Sequence, residues 1–377
     1  MLITAVIVQS LVTWADSKGW ITGYRYAFYR FLQKANPNKA VDQHTVVITI
    51  EDDEYWKGKL QGRVPIKRDY LARLIEKLDA AEANVIALDF DLRSPTSDGK
   101  PVESADYAEE TKKLVAAIKN VSPRRPIVLP RTIWKENGEY VTNSDVYDGN
   151  DLGPPNVFEG YIALPYDRLK IPLTLKLRGG APLDSFSMAV VRAFRPEALS
   201  GLPKASDALY GSFINETSFA HRTAHDVLTA NPTALHQDVS GRIAIIGGVW
   251  SKWAYGVGQR VDLHETPMGS MSGVYLHANY AEAILDMRTY TPFGEKAVEI
   301  IEWLVVLAMA VGFAATGTVG REIEVVAVSW VLLGLFSYFS FINLGIVFDI
   351  FVPALSVTVH WLFEHFWEGF RRKSAKA

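Results

Sequence analysis

Cysteine is the most informative absence from this 377-residue sequence, because it does not occur at all. Without thiols the chain cannot form disulfides, cysteine-type zinc sites or a thiol nucleophile. The net charge is only −3, so there is no basic excess of the kind that nucleic-acid binding requires. The sequence also contains no phosphate loop and no His-Glu-x-x-His zinc motif. These absences exclude nucleic acid as a partner and several classes of enzyme.

Long hydrophobic runs are concentrated in the last quarter of the chain. Residues 297–318, 325–342 and 346–366 are apolar runs, and each is long enough to cross a bilayer. We interpret them as three transmembrane helices, followed by a basic cytoplasmic tail at residues 367–377. Counting back three crossings from that tail places residues 40–290 outside the cytoplasm. The lipid bilayer is therefore an expected partner.

The N-terminal region is apolar but short. Residues 1–16 form a possible N-terminal transmembrane helix, whose natural start can lie upstream of Met1. The alternative is a buried or interfacial helix. Residues 17–38 then predict an amphipathic helix and linker, with an aromatic stripe interpreted as core packing or a membrane-interface contact. The stripe consists of Trp20, Tyr24, Ala27, Phe28 and Phe31.

Short apolar segments alternate with helical patterns through residues 40–290. Such alternation predicts a mostly parallel sheet with helical crossovers. The turn-rich residues 135–175 predict an insertion with short antiparallel strands. The expected fold is therefore an α/β extracytoplasmic domain, a mostly parallel sheet with an inserted and partly antiparallel segment, plus an α-helical transmembrane region. The predicted strands are residues 46–50, 85–88, 127–129 and 243–246, and Pro130 is expected to close the third.

Acidic residues follow several of the predicted strands. Ligands of open α/β sheets bind beyond the carboxyl ends of the strands, so a rim of acids is a candidate site. Asp89 and Asp91 are two residues apart on an extended segment, which points both carboxylates to one side. Carboxylates with an imidazole can hold a divalent cation, whereas the alternative is that these acids cap helices and solvate loops. The other members of the predicted rim are Asp52, Asp53, Asp262 and His264.

Further candidates lie on the loops and helix starts beside this rim. Arg68 can hold an anion or form an ion pair with Asp89 or Asp91. His277 opens the last helix of the domain, and Asn279 would point about 200° away from it in a regular helix. A buried structural histidine is the alternative interpretation of His277. The loop before that helix adds Thr266 and Gly269.

Six short sequence blocks follow one another along the chain. They are residues 64–68 (VPIKR), 85–91 (VIALDFD), 183–189 (LDSFSMA), 241–247 (GRIAIIG), 266–273 (TPMGSMSG) and 277–279 (HAN). In this order the blocks resemble the CHASE2 domain family. The resemblance covers roughly residues 40–288 and implies an extracytoplasmic sensory module of bacterial receptors in the inner membrane. One departure is Arg63, which stands where the family often has tryptophan. Another is that no kinase or cyclase output domain is expected after Phe370, although the family usually has one.

Three functions are consistent with these patterns. The first is a membrane-anchored CHASE2-type sensor, not an enzyme, that signals through self-association or a separate membrane or signalling protein. The second is a membrane-tethered metal-dependent phosphohydrolase using Asp89 and Asp91, although Arg93 departs from the phosphatase pattern. The third is a scaffold subunit that binds no ligand. For the first, a small-molecule or cation ligand is expected at the rim. A set of small residues would permit close helix association: Ala308, Ala310, Gly312, Ala314, Ala315 and Gly317.

Overall fold

The structure is a computed structural model whose chain divides into two compact units. One unit is Lys39–Thr289, and the other combines Met1–Asn38 with Tyr290–Ala377. The residues that the structure describes are 10–12, 14–15, 18–35, 43–93, 96–97, 100–101, 105–121, 123–142, 152, 156–202, 209–253, 257–315 and 319–374.

The described α-helices divide between these two units. In chain order they are α1 (Thr22–Ala35), α2 (Arg68–Ala80), α3 (Ala105–Val121), α4 (Phe186–Phe194), α5 (Ala224–Thr229), α6 (Pro232–Val239), α7 (Gly273–Leu285), α8 (Glu295–Ala315), α9 (Val319–Leu344) and α10 (Phe351–Ser374). Other helical segments are a short π-helix, Asp53–Lys57, the 3-10 turns Pro196–Leu199 and Glu216–Ser218, and residues 10–12 and 14–15.

A six-stranded parallel sheet forms the centre of the Lys39–Thr289 unit, which confirms the predicted mostly parallel core. The strand order is β5-β1-β6-β2-β3-β4, so the last of these six strands in the sequence lies in the middle of the sheet. The strands are β1 (Thr45–Ile50), β2 (Val85–Asp89), β3 (Ile127–Arg131), β4 (Val157–Tyr161), β5 (Ala220–Thr223) and β6 (Ile243–Gly248).

Helices cover both faces of this sheet. Helices α2, α3, α5 and α6 pack together on one face, whereas α4 and α7 pack on the other. The central strands are therefore buried at nearly every position, as β1 is from Thr45 to Ile50. Helix α2 packs through an apolar stripe, Leu71, Leu74, Ile75 and Leu78, whose members are all fully buried.

Strand β3 extends through Pro130 instead of ending before it, so that expected boundary is wrong. Proline lacks the amide hydrogen that a sheet ladder needs. The pairing of β3 with β2 involves only Ile127 and Val128, and Pro130 pairs with Gly160 of β4 alone. The missing donor is therefore tolerated.

Short antiparallel pairs surround the sheet. The predicted insertion contains such a hairpin, but its segment Val157–Tyr161 joins the parallel sheet as the edge strand β4. The antiparallel pairs are Thr96–Ser97 with Lys100–Pro101, Ile133–Glu136 with Glu139–Thr142, Leu175–Lys176 with Pro182–Leu183, Ser251–Trp253 with Val257–Arg260, and Leu263–Thr266 with Gly269–Ser272. A further two-residue strand is Tyr210–Gly211.

The second unit contains α1 and the three long C-terminal helices. Among the described residues, one helix segment, Gly320–Leu344, is long and apolar enough to cross a membrane, and Phe351–Phe363 is a shorter apolar stretch. The third predicted run begins instead with a strand, Ile346–Val347, which pairs in parallel with residues 291–292 of Thr289–Pro292.

The boundaries of the predicted terminal segments also differ from the observed ones. Helix α10 continues to Ser374, so most of the predicted basic tail is helical. Residues 375–377 lie outside the described part of the chain. Most of the predicted N-terminal membrane helix lies outside it as well, with only residues 10–12 and 14–15 described as helical.

Side-chain hydrogen bonds link the helices of this unit. Arg25 on α1 donates to Asp349 over 2.6 Å, and Ser337 on α9 donates to the carbonyl of Phe348 over 2.7 Å. The Trp330 indole donates to Thr358 over 3.0 Å. Such polar bonds stabilise helix contacts where water is excluded.

Candidate functional site

The candidate site lies where the central strands β2 and β6 end. Asp89, the last residue of β2, pairs in register with Gly247 of β6. A Cβ at Gly247 would lie 2.5 Å from the Cβ of Val274, so glycine is what permits helix α7 to begin so close to the strand. The carboxyl ends of the strands and the first turns of α7 therefore line the same region, the usual ligand position in open α/β sheets.

His277 on α7 is fully buried at this edge. Its Nε2 lies 3.7 Å from Oδ1 of Asp89, whose side chain is also buried. Its Nδ1 lies 3.4 Å from the hydroxyl of Ser187 on α4, and that hydroxyl donates to the His277 carbonyl over 3.2 Å. The Phe186 ring meets the imidazole edge-on at a centroid distance of 5.0 Å. His277 thus joins β2, α4 and α7.

Asp262 and His264 form a second pair beside the first. His264 Nε2 lies 2.7 Å from Asp262 Oδ1, and Arg168 Nη2 lies 3.1 Å from His264 Nδ1. A guanidinium can only donate, so Nδ1 must accept and Nε2 must carry the proton that binds Asp262. Arg168 therefore fixes the tautomer of His264. The Asp262 side chain is 56% exposed and is the most accessible part of the group.

Gly273 determines where the Asp262 carboxylate lies. It is the first residue of α7, and its amide donates to the Asp262 carbonyl over 2.9 Å. A Cβ at Gly273 would lie only 1.8 Å from Asp262 Oδ2, which no side chain could occupy. The carboxylate therefore lies against the helix N-terminus, where the helix dipole favours a negative charge.

Burial drives the pKa values of Asp89 and His277 in opposite directions. Desolvation raises the pKa of Asp89 to about 8, and the nearby charge of Asp262 adds to the increase. Desolvation lowers the pKa of His277 to about 4, against the opposing effect of Asp262. Burial also acts to raise the pKa of Asp262, but the hydrogen bond and charge of His264 outweigh it and the pKa is lowered. Asp262 is thus the anion of the group.

We call Asp89, Asp262, His264 and His277, together with Arg168 and Ser187, the rim cluster. Four of these residues were predicted as rim members from the sequence. Arg168 lies in the turn-rich insertion and no sequence signal identified it. Ser187 belongs to the block at residues 183–189 that resembles the CHASE2 family, which is the one signal that could have identified it.

Three predicted rim residues lie elsewhere. Asp52 accepts from the amide and hydroxyl of Ser251, both at 2.8 Å, because the chain after β6 turns back over the end of β1. Asp53 is exposed and pairs with Lys57 at 2.7 Å. Asp91 is held by Arg93, whose Nε lies 2.8 and 2.9 Å from its two oxygens, and this partner lowers its pKa despite partial burial.

Arg68 does not form the predicted ion pair with Asp89 or Asp91. Its side chain is fully buried and donates to the hydroxyl of Thr111 and to the carbonyl of Leu92. Because Arg68 starts α2 next to α3, its guanidinium reaches that neighbouring helix.

The remaining candidates hold the backbone around the site. Thr266 donates to the Gly269 carbonyl over 2.7 Å and closes a tight turn, in which Gly269 has a φ of 99°. Asn279 is buried, and its side chain accepts from the Ile214 amide over 2.7 Å and donates to the Tyr275 carbonyl. It points away from His277, as regular helix geometry predicts.

A large open groove lies beside the ends of β1 and β5. Its volume is about 1090 Å³, and its charged lining residues carry both signs. Several of them pair with one another, such as Lys57 with Asp53 and His225 with Glu54. Of the predicted site residues, only Asp53 lines it. The lining carries acidic and basic side chains in equal number, Glu51, Asp53, Glu54 and Glu76 against Lys57, Lys59, Arg73 and Lys77, so its charge favours neither sign of ligand.

Comparison with known protein families identifies the chain. The CHASE2 domain matches residues 3–313, which extends beyond the sheet domain at both ends and includes most of α8. No curated protein and no solved structure matches the chain. The chain therefore belongs to the CHASE2 domain family. This is a family of extracytoplasmic sensory domains and not a known enzyme family.

Proposed function

We propose that this protein is a membrane-anchored extracytoplasmic sensor that receives its signal at the rim cluster. The observation that carries the proposal is a set of four titratable side chains gathered at the carboxyl ends of the central strands. Two of them, Asp89 and His277, are buried with pKa values shifted in opposite directions. Strongly shifted pKa values in a concave region are typical of functional sites.

The charges favour a ligand with positive charge or hydrogen-bond donors. Asp262 is the exposed member and its pKa is lowered, so it presents a carboxylate to the outside. That carboxylate already lies at the N-terminus of α7, the position that an anionic ligand would otherwise occupy. A small organic cation or a divalent cation is therefore the favoured class, and a phosphate or carboxylate compound is disfavoured.

Thermal unfolding of the full-length protein in detergent tests this proposal. We expect amines or divalent cations from a small panel to raise the unfolding temperature, because a ligand that binds only the folded state stabilises it. Asp89→Ala or His277→Ala should reduce that increase. The matched control is Asp91→Ala, which lies outside the cluster and should leave the increase unchanged. Stabilisation that survives both cluster substitutions would place the ligand elsewhere.

We also propose that the unit containing α8, α9 and α10 lies in the bilayer of the bacterial inner membrane, with three crossings. Support comes from the apolar segment Gly320–Leu344 and from a stripe of exposed apolar residues along α8. The stripe consists of Ile300, Leu304, Leu307 and Val311, whose spacing places them on one helix face. Lipid is the natural environment for such a face.

Signalling through self-association or a separate membrane partner remains part of the proposal. A Cβ at Gly312 would lie 3.1 Å from Val325 on α9, so Gly312 packs against the chain's own next helix. Ala308 is exposed on α8 and is the better test residue. Ala308→Leu should reduce the size of the complex in mild detergent, whereas Leu307→Met, about 100° around the helix on the exposed apolar stripe, should not. An unchanged complex with a folded Ala308→Leu protein would count against a partner on this face.

The phosphohydrolase alternative rests on Asp89 and Asp91. It is less favoured because Arg93 binds both oxygens of Asp91. A phosphatase assay with magnesium separates the two proposals, since turnover that is lost in Asp89→Asn would support the enzyme.

A further inference from the structure

A second group of titratable side chains lies at the opposite, amino-terminal end of the sheet. Among the residues that the structure describes, His44, Glu282 and Asp286 are the one set of three or more histidine or acidic residues whose ligand atoms all lie within 4.8 Å of one another. His44 Nε2 lies 3.4 Å from Asp286 Oδ1. His44 immediately precedes β1, while Glu282 and Asp286 lie at the end of α7.

Glu282 is fully buried, and only one of its two carboxylate oxygens has a hydrogen-bond partner. Its Oε1 accepts from the amide of Thr45 over 2.7 Å, whereas its Oε2 has no hydrogen-bond partner. A buried carboxylate oxygen without a partner is costly, and such atoms usually mark a water or an ion.

The local charge is also unbalanced. Two acids occupy the end of α7, where the helix dipole is negative, and the last turn contains no basic residue. Arg288 provides one positive charge, but its Nε binds Asp286 Oδ2 at 3.0 Å and leaves Oδ1 facing His44. Arg288 therefore balances the charge of only one of the two carboxylates.

The one measured separation between two of the candidate ligand atoms fits a small transition-metal ion. Zinc binds histidine nitrogen and carboxylate oxygen at about 2.0–2.2 Å, so two ligands in a tetrahedral site are roughly 3.4 Å apart. The separation of His44 Nε2 from Asp286 Oδ1 has this value. One imidazole with two carboxylates suits zinc or manganese better than calcium, which takes six or more oxygen ligands.

We propose that His44, Glu282 and Asp286 bind a divalent cation of the zinc or manganese class. The site is separate from the rim cluster, since His277 and Asp286 are nine residues apart on and just beyond α7, about 13 Å along the axis. The position of this site along the chain means that a bound cation would also have a structural effect. The unit that contains the sheet runs from Lys39 to Thr289. His44 lies just after its start, and Asp286 lies just before its end. The cation would join the segments through which the chain enters and leaves that unit.

The untagged, full-length protein in detergent is first treated with a chelator. Calorimetric titration with Zn²⁺ alone, and separately with Mn²⁺ alone, then tests the proposal. We expect one equivalent of metal per chain at this site, in addition to any cation bound at the rim cluster. Glu282→Gln keeps an acceptor for the Thr45 amide and should weaken binding at least tenfold. His44→Ala should do the same, and because the His44 side chain is 20% exposed, this variant remains informative if Glu282→Gln fails to fold.

Two controls make the result specific. His225 forms an exposed pair with Glu54 at 3.5 Å, so His225→Ala removes a similar surface pair and should leave the binding unchanged. His264→Ala removes a histidine of the rim cluster, so any cation bound there should be lost, whereas the metal that depends on His44 and Glu282 should still bind. The proposal is overturned if neither metal binds, if both His44→Ala and Glu282→Gln bind normally, or if only His264→Ala abolishes binding.

Discussion

Asp89 and His277 illustrate how burial determines the protonation of individual residues. With pKa values of about 8 and about 4, the folded pair holds one proton between these limits. In the unfolded chain the aspartate titrates near 3.9 and the histidine near 6.5. From about pH 4 to pH 6.5 both states therefore hold one proton. Above about pH 6.5 the unfolded chain releases its proton and the folded pair retains it.

This difference predicts that stability falls as the pH rises from about 6.5 to about 8. The sign follows from linkage, because the folded state binds more protons than the unfolded state across this interval. One retained proton corresponds to a loss of about 2 kcal/mol over the interval. Asp89→Asn removes the titrating carboxyl, so its unfolding temperature should change much less with pH. Thermal unfolding of both proteins at several pH values measures this.

Asp91 provides the matched control for that experiment. Its pKa is lowered by Arg93 despite partial burial, so it is already charged throughout the interval. Asp91→Asn should therefore retain the pH dependence of the native protein. If the unfolding temperature of the native protein does not change with pH, or changes equally in Asp89→Asn, the buried pair does not retain the proton.

At the residue scale, sequence reasoning predicted contacts between residues near in sequence better than those between distant ones. Asp262 and His264, two residues apart and both predicted as rim members, lie 2.7 Å apart, although Asp262 has a φ of 50° and is not extended. For Asp89 and Asp91 the same spacing predicted a shared side, but Asp91 binds Arg93 instead. Arg168, which binds His264 from the insertion, depends on a long-range contact that no local spacing encodes. The predicted ion pair of Arg68 with Asp89 or Asp91 was wrong for the same reason, since Arg68 binds Thr111 on a different helix.

At the scale of elements, the strands of the sheet were predictable because their burial pattern is simple. Strands covered on both faces are apolar throughout, and β1 and β6 were predicted to within a residue or two of their observed ends. The edge strand β4 was not predicted. Its first residues are only partly buried, so Val157–Tyr161 lacks the continuous apolar signal of the central strands.

Most of the aromatic stripe predicted along α1 does not pack in the core, and its alternative interpretation as a membrane-interface contact stays a prediction. The buried residues are Tyr26, Tyr29 and Leu32, whereas Trp20, Tyr24 and Phe31 of the predicted stripe are exposed. This helix has aromatic residues on several faces, so periodicity alone cannot distinguish the buried face from the exposed one.

Gly273 provides a prediction about the start of α7. Gly273→Ala should destabilise the protein by about 1–3 kcal/mol, because the new Cβ would displace the Asp262 carboxylate from the helix N-terminus. Gly23→Ala is the control, since no heavy atom lies within 4 Å of the Cβ position there. Denaturant unfolding of the two variants measures the difference. Equal stability would mean that Asp262 can move at little cost.

For the whole molecule, hydropathy correctly separated a mostly parallel α/β unit from a helical C-terminal region. It could not define the ends of the helices. The apolar run at residues 346–366 is divided because Ile346–Val347 pairs with residues 291–292, and α10 begins only at Phe351. Hydropathy is similar for a buried strand and a membrane helix, so composition does not reveal such a division.

The last prediction concerns the topology of the whole chain. Three crossings with a basic cytoplasmic end place the sheet unit outside and the segment between α9 and α10 outside as well. A reporter that is active only outside the cytoplasm should therefore be active when inserted at Gly201 or fused after Gly345. A reporter that is active only in the cytoplasm should be active after Ala377. A cytoplasmic signal at Gly201 would contradict the topology, and the proposal of an external sensor would then have to be abandoned.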